Sequence, residues 1–254
     1  MFDFVNSFGI DRDTLIGANA VIPVIYFLYR NPKLTLGGTT PFDVLSAANI
    51  RLWLTAALLR NVFSGQSDTA LRIARTVIQT EPPDEPFPIA RLNADMAKAG
   101  RPSTFDTSAV EEILDLEYGE ARTFLALTLL YQDQNWAFDP HVDHIFPKKL
   151  FTKKSMNERG VSPDLQGKYQ DWVHRIGNLE LLSAKENEEK SSEDFEQWIR
   201  TRHDSFLERQ LIPKDRNLWK LGNFENFLAK REELIRARFE SLFPSAPKQL
   251  AEAP

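Results

Sequence analysis

Residues 141–147 read His141-Val142-Asp143-His144-Ile145-Phe146-Pro147, and they decide how the rest of the chain is understood. On an extended strand side chains alternate, so His141 and Asp143 share one face and His144 points to the other. That geometry suits a division of labour. A carboxylate holds a hard cation such as Mg²⁺, while a neighbouring imidazole that does not ligate it takes a proton from water. Downstream, Gly177-Asn178-Leu179-Glu180-Leu181-Leu182-Ser183 reads as a second short strand, apolar with polar punctuation. Then Glu186-Asn187-Glu188-Glu189-Lys190-Ser191 opens a helix. Asn187 offers an amide oxygen to the same cation, and Lys190, one turn later on that face, is placed to reach a phosphate.

Upstream of this segment the chain reads as helical. Asp13 is positioned to cap a helix through Leu15, Ala18, Ile22, Ile25 and Leu28, with Pro23 kinking or restarting it. Thr40-Pro41 is an N-cap and first-turn pair for a helix through Val44, Ala48, Trp53, Ala56 and Leu59. Ser67 or Asp68 starts another, and four prolines between Glu81 and Pro88 make a loop. A short helix over Ile89 to Lys98 ends at Gly100, and one long helix is expected from Thr107 to Tyr131. Beyond Asp194 helical spacing returns, in Phe195, Trp198 and Ile199 and again in Phe224, Phe227, Leu228, Leu234 and Phe239. The expected architecture is mainly α with a small β element. Its parts are a helical domain over 1–135, a catalytic domain with C-terminal helices over 136–243, and a flexible tail over 244–254.

Composition narrows the chemistry. The 254 residues are 42% hydrophobic, enough for packed cores. None is cysteine, which removes thiol nucleophiles, disulfide scaffolds and thiolate zinc sites. The net charge of −5 argues against coating nucleic acid by bulk charge. Counted by segment, however, residues 1–138 hold 11 basic and 16 acidic side chains, whereas 139–216 hold 14 and 15. The segment with the histidines is therefore almost neutral, and it concentrates Lys148, Lys149, Lys153 and Lys154. The N-terminus lacks the basic cluster and cleavage site of an export signal, and the apolar run Leu15 to Tyr29 is too short and interrupted to span a bilayer. A cytoplasmic protein without membrane partners is expected.

The order Asp-His-Ile-x-Pro, then an Asn beside a short strand, then Asn-x-x-Lys-Ser on a helix resembles the HNH, or ββα-metal, nucleases. His141 ahead of the Asp-His pair, Ile-Phe-Pro, Gly-Asn-Leu and Glu-Asn-x-x-Lys resemble a narrower group: the HNH-containing C-terminal half of GmrSD-type, modification-dependent (type IV) restriction endonucleases. The segments Ala20 to Tyr29, Arg209 to Asp215 and Phe224 to Arg231 extend the likeness over most of the chain. The resemblance implies His144 as general base, and Asp143 and Asn187 as ligands of one Mg²⁺ or Mn²⁺ per site. It also implies Asn178 as a brace for the loop or for His144, and Lys190 as a phosphate contact. His141 is left as a metal-side neighbour or substrate contact. The implied substrate is DNA, including modified phage DNA, cut in an antiviral restriction system. A nucleotide-hydrolysing sensor domain or subunit, absent from this chain, is the implied partner.

Two departures matter. His144 and Asn178 stand 34 positions apart, so an insertion separates the strands. The four-cysteine zinc site that many such nucleases carry is impossible here, so no structural zinc is expected and Phe146, Leu150, Trp172 and Ile176 must pack in its place. His174 reads as a helix-end cation, His203 as part of a solvated helix face, and the tryptophans 53, 136, 172, 198 and 219 as core. The lysine cluster reads equally as solubility or as DNA-backbone contact. The competing reading of the whole chain is a helical DNA-binding or partner-docking module whose HNH-like centre is inactive.

Overall fold

The computed structural model describes residues 2–7, 10, 15, 17–65, 67–131, 140–191 and 193–244. The expected cap at Asp13, the boundary at 135/136, Trp136 and the tail over 245–254 lie outside the described residues. The elements are α1 (Phe2–Asn6), α2 (Val21–Arg30), α3 (Pro41–Leu59), α4 (Ser67–Thr80), α5 (Ile89–Lys98), α6 (Thr107–Leu114) and α7 (Ala121–Leu130). They continue as β1 (His141–His144), α8 (Lys153–Glu158), α9 (Pro163–Trp172), β2 (Leu179–Leu182), α10 (Ala184–Lys190), α11 (Phe195–Ile199), α12 (Asp204–Arg209) and α13 (Phe224–Leu242). Among the described residues the fold is mainly α, with one two-stranded antiparallel sheet, β1 against β2.

The chain divides into two compact units. One holds Met1–Thr104, Glu117–Asp143 and Glu180–Ser191; the other holds Phe105–Leu116, His144–Leu179 and Ser192–Pro254. In the first, α3 packs on α7, and α4 packs on α2 and α5. Its helix starts follow local chemistry: the Thr40 hydroxyl accepts from the Asp43 amide at 3.2 Å and Pro41 opens α3. The core there is aromatic, with Phe27 edge-on to Phe87 (5.2 Å) and Trp53 against Phe87 (5.5 Å) and Phe63 (5.9 Å).

Two expected helices differ. Pro23 sits in the first turn of α2, where its missing N–H costs nothing; the α-helix begins at Val21, after the 3-10 turn Ala18–Ala20, so the proline marks a helix start, the second of the two expected outcomes. The face that α2 buries is Val21, Val24 and Phe27, while Ile22 and Ile25 are 45% and 47% exposed. The stretch is apolar all round, so spacing alone did not select the buried stripe. The single helix expected from Thr107 to Tyr131 is two, α6 and α7. Gly119, at φ +94°, turns the chain between them, a conformation that glycine adopts without steric penalty.

In the second unit the place of a zinc staple is taken by rings. Phe146 meets Phe195 (4.4 Å), Phe227 (4.9 Å) and Phe224 (5.2 Å), and Phe224 also meets Phe151 (4.9 Å) and Tyr169 (5.2 Å). Phe146, Leu150 and Ile176 are buried as expected, but Trp172 is only half-buried, with the Lys168 ammonium over its ring. The phenylalanines of α11 and α13 fill the role it was given. Arg231 of α13 is fully buried and donates to the carbonyls of Ile176 (3.2 Å), Gly177 (2.8 Å) and Gln210 (3.3 Å). It thereby fixes the 3-10 turn Ile176–Asn178 that leads into β2. A Cβ at Gly177 would lie 3.1 Å from Leu228 Cδ2, which explains the small residue in Gly-Asn-Leu.

Arg231→Ala strips three buried carbonyls of a charged donor, so a loss on the order of 3 kcal/mol or more is expected in urea unfolding.

Candidate active site

The strand, strand, helix sequence of β1, β2 and α10 carries the residues singled out above. Ile145 N–H donates to the Asn178 carbonyl at 2.8 Å, just past the strand ends. Counting back along the antiparallel strands sets Asp143 directly across from Glu180. Two carboxylates in that relation repel. Lys190 resolves it: its ammonium lies 2.6 Å from Asp143 Oδ2 and 2.7 Å from Glu180 Oε1. Lys190 and Glu180 are fully buried, while the Asp143 side chain keeps 28% of its exposure.

Lys190 reaches that position because α10 starts where it does. The Ser183 hydroxyl accepts from the Glu186 amide (3.2 Å) and the Glu186 carboxylate accepts from the Ser183 amide (3.0 Å), a reciprocal capping box. Asn187, half-buried, precedes Lys190 by one turn on the same helix. His141 stands exposed at the start of β1, on the strand face that carries Asp143. The expected phosphate contact by Lys190 is not what the structure presents. A lysine with no exposed surface and two carboxylate partners has its charge committed inside the protein.

His144, the next residue of β1, is 4% exposed. Its Nε2 lies 3.1 Å from Nδ1 of His174, with the rings edge to face at 5.2 Å and 81°. Either ring donates according to its tautomer. His174 follows α9, in a turn, so its assignment as a mere helix-end cation is corrected: it is the ring that orients His144. Asn178, fully buried, ties these pieces together. Its Oδ1 accepts from the Phe146 amide (2.9 Å), and its Nδ2 donates to the carbonyls of Phe146 (3.2 Å) and Val173 (2.8 Å). One side chain therefore fixes both the residue two beyond His144 and the residue just before His174.

Lys148, Lys149, Lys153 and Lys154 are all exposed, on the 3-10 turn Lys148–Phe151 and on α8. They lie on the insertion between the strands. Among the described residues, no group of three or more His, Asp and Glu is arranged to hold a metal. The donors that are present are hard: the second carboxylate oxygen of Asp143 and the amide oxygen of Asn187. Their chemistry fits Mg²⁺ or Mn²⁺ in the style that keeps several waters and takes further oxygens from a phosphate.

Residues 96–237 match the family model of the GmrSD restriction endonucleases, C-terminal domain. The match spans more than half of the chain and includes β1, β2, α10 and both histidines. The chain belongs to that family, and its class is a restriction-endonuclease type of nuclease. No curated protein matches the chain.

Two site residues escaped the sequence reading. Glu180 left a signal, a charge in an otherwise apolar strand that had to have a buried partner. His174 left none, since its partner stands 30 positions away in an unrelated element.

Lys190→Met leaves the buried Glu180 carboxylate facing Asp143 with no cation between them. A loss of about 3–5 kcal/mol is expected in denaturant unfolding, the size typical of breaking one side of a buried pair.

Proposed function

We propose that the chain is an HNH, or ββα-metal, endonuclease that hydrolyses DNA phosphodiester bonds with His144 as general base. The observation that carries this reading is the pair of consecutive residues on β1 with separate supports: Asp143 held by Lys190, and His144 held by His174. In such a reaction a water oxygen bonds to phosphorus, the P–O bond to the leaving oxygen breaks, and the water's proton passes to the imidazole of His144. His174 keeps that ring in one orientation, and Asn178 keeps the backbone around both rings fixed. Asp143 and Asn187 would hold one Mg²⁺ or Mn²⁺, which when bound neutralises charge developing on the phosphate oxygens. Water and phosphate oxygens would complete the cation's coordination. His141 stands on the same strand face as Asp143 as a substrate contact. The exposed lysines 148, 149, 153 and 154 are assigned to the DNA backbone, where each neutralised phosphate adds affinity without reading sequence. Modification-dependent restriction of phage DNA in the cytoplasm, with a nucleotide-hydrolysing sensor as partner, is the setting proposed from the family.

A second reading, a DNA-binding or docking module whose centre does not cut, draws on two features of the same residues. Lys190 occupies one oxygen of Asp143, and His144 is almost wholly buried. The two readings part at the metal. In the nuclease reading, Mg²⁺ or Mn²⁺ raises the melting temperature and Asp143→Ala abolishes the shift; in the docking reading neither protein responds.

Incubated with plasmid and Mg²⁺ or Mn²⁺, the protein is expected to nick unmodified or modified DNA. His144→Ala should be slower by a factor on the order of 10²–10⁴, the usual contribution of a general base. Equal nicking by both proteins removes His144 from the role, and inactivity of the wild type on every modified DNA tried removes the nuclease reading.

A further inference from the structure

The Glu180–Lys190 pair does more to Asp143 than balance its charge. A carboxylate with both oxygens available accommodates a large cation by bidentate chelation, and Ca²⁺, with six to eight oxygens at about 2.3–2.6 Å, commonly uses that mode. Mg²⁺ binds at about 2.0–2.1 Å in an octahedron and takes one oxygen from each carboxylate. At Asp143 the choice is already made, because Oδ2 lies 2.6 Å from the Lys190 ammonium. Lys190 cannot swing out to solvent to release that oxygen. Its amine has no exposure, and the buried carboxylate of Glu180 holds it from the far side at 2.7 Å. Two anchors fix the far side in turn, the pairing of β2 with β1 for Glu180 and the capping box of α10 for Lys190.

We propose that the buried Glu180–Lys190 pair is a cation-specificity determinant: it reserves one oxygen of Asp143, so that the centre accepts small octahedral cations such as Mg²⁺ and Mn²⁺ and discriminates against Ca²⁺. The inference rests on the reading of Asp143 as a metal ligand. Lys190 is on this account a positioning residue, acting through Asp143 and not on the phosphate. The neighbouring ammonium also lowers the negative charge that Asp143 presents, so affinity for a bare cation is modest and rises when a phosphate joins the site.

The test is binding. The full chain is titrated with Mn²⁺, free Mn²⁺ is followed by electron paramagnetic resonance, and bound Mn²⁺ is then displaced with Ca²⁺. Three proteins are compared: wild type, Glu180→Leu with Lys190→Met, and Asp143→Ala. The Leu/Met pair removes both buried charges at similar volume, a replacement that folded proteins often tolerate. Glu180→Gln with Lys190→Gln keeps polar groups at both positions and serves if the Leu/Met protein fails to melt cooperatively. The wild type is expected to prefer Mn²⁺ over Ca²⁺ by at least about tenfold, and the folded double variant to lose most of that preference through tighter Ca²⁺ binding. A folded double variant that keeps the wild-type ratio overturns the inference, as does a wild type that shows no preference. Undiminished Mn²⁺ binding by Asp143→Ala overturns the ligand assignment itself, a separate result that the same titration identifies.

Discussion

A β-strand cannot place two consecutive side chains on one face, and β1 carries Asp143 and His144 in succession. Each must therefore find its own support, and the rest of the site is organised around supplying it. For Asp143 the support is electrostatic: a buried lysine set between two carboxylates that would otherwise repel across the strand pair. For His144 it is a second imidazole at 3.1 Å. Neither support is close to its client in sequence. Lys190 is 47 residues from Asp143, and His174 is 30 from His144.

Lys190 is placed by the capping box that starts α10, and the two histidines are kept in register by a small set of side chains that saturate backbone groups. Asn178 closes three hydrogen bonds around the histidines, and Arg231 closes two more on the turn that delivers Asn178 to its place and a third to the Gln210 carbonyl. These are buried polar groups with their bonds made, where loss of one partner leaves the others unpaired at a cost larger than the bond itself was worth. The ring cluster of Phe146, Phe195, Phe224 and Phe227 backs this scaffold with apolar area in a chain that has no cysteine for a metal staple.

The features legible in the sequence are those set by neighbours along the chain. Thr40-Pro41 starts α3, Ser67 starts α4, and α5 stops short of Gly100, because caps and helix-ending glycines act within one turn. The strand, strand, helix order and the mainly helical class were legible for the same reason. The buried face of α2 was not, since a helix apolar on every side records no orientation. The break at Gly119 falls in the polar stretch 117–123, a signal that the expectation of one helix from Thr107 to Tyr131 passed over. In the site, residue types and order pointed to Asp143, His144, Asn178, Asn187 and Lys190. The sequence does not show what each one touches. That Lys190 turns inward to Glu180, and that His174 turns to His144, are facts of tertiary packing.

The central claim is that the imidazole of His144 is the base, and chemical rescue tests it most directly. His144→Gly leaves a ring-sized space beside His174. Adding free imidazole to the folded variant with plasmid and Mg²⁺ should restore nicking in proportion to the concentration of the neutral base. A His144→Gly protein that folds and binds DNA, yet shows wild-type cleavage without imidazole or no response to it, would contradict the account.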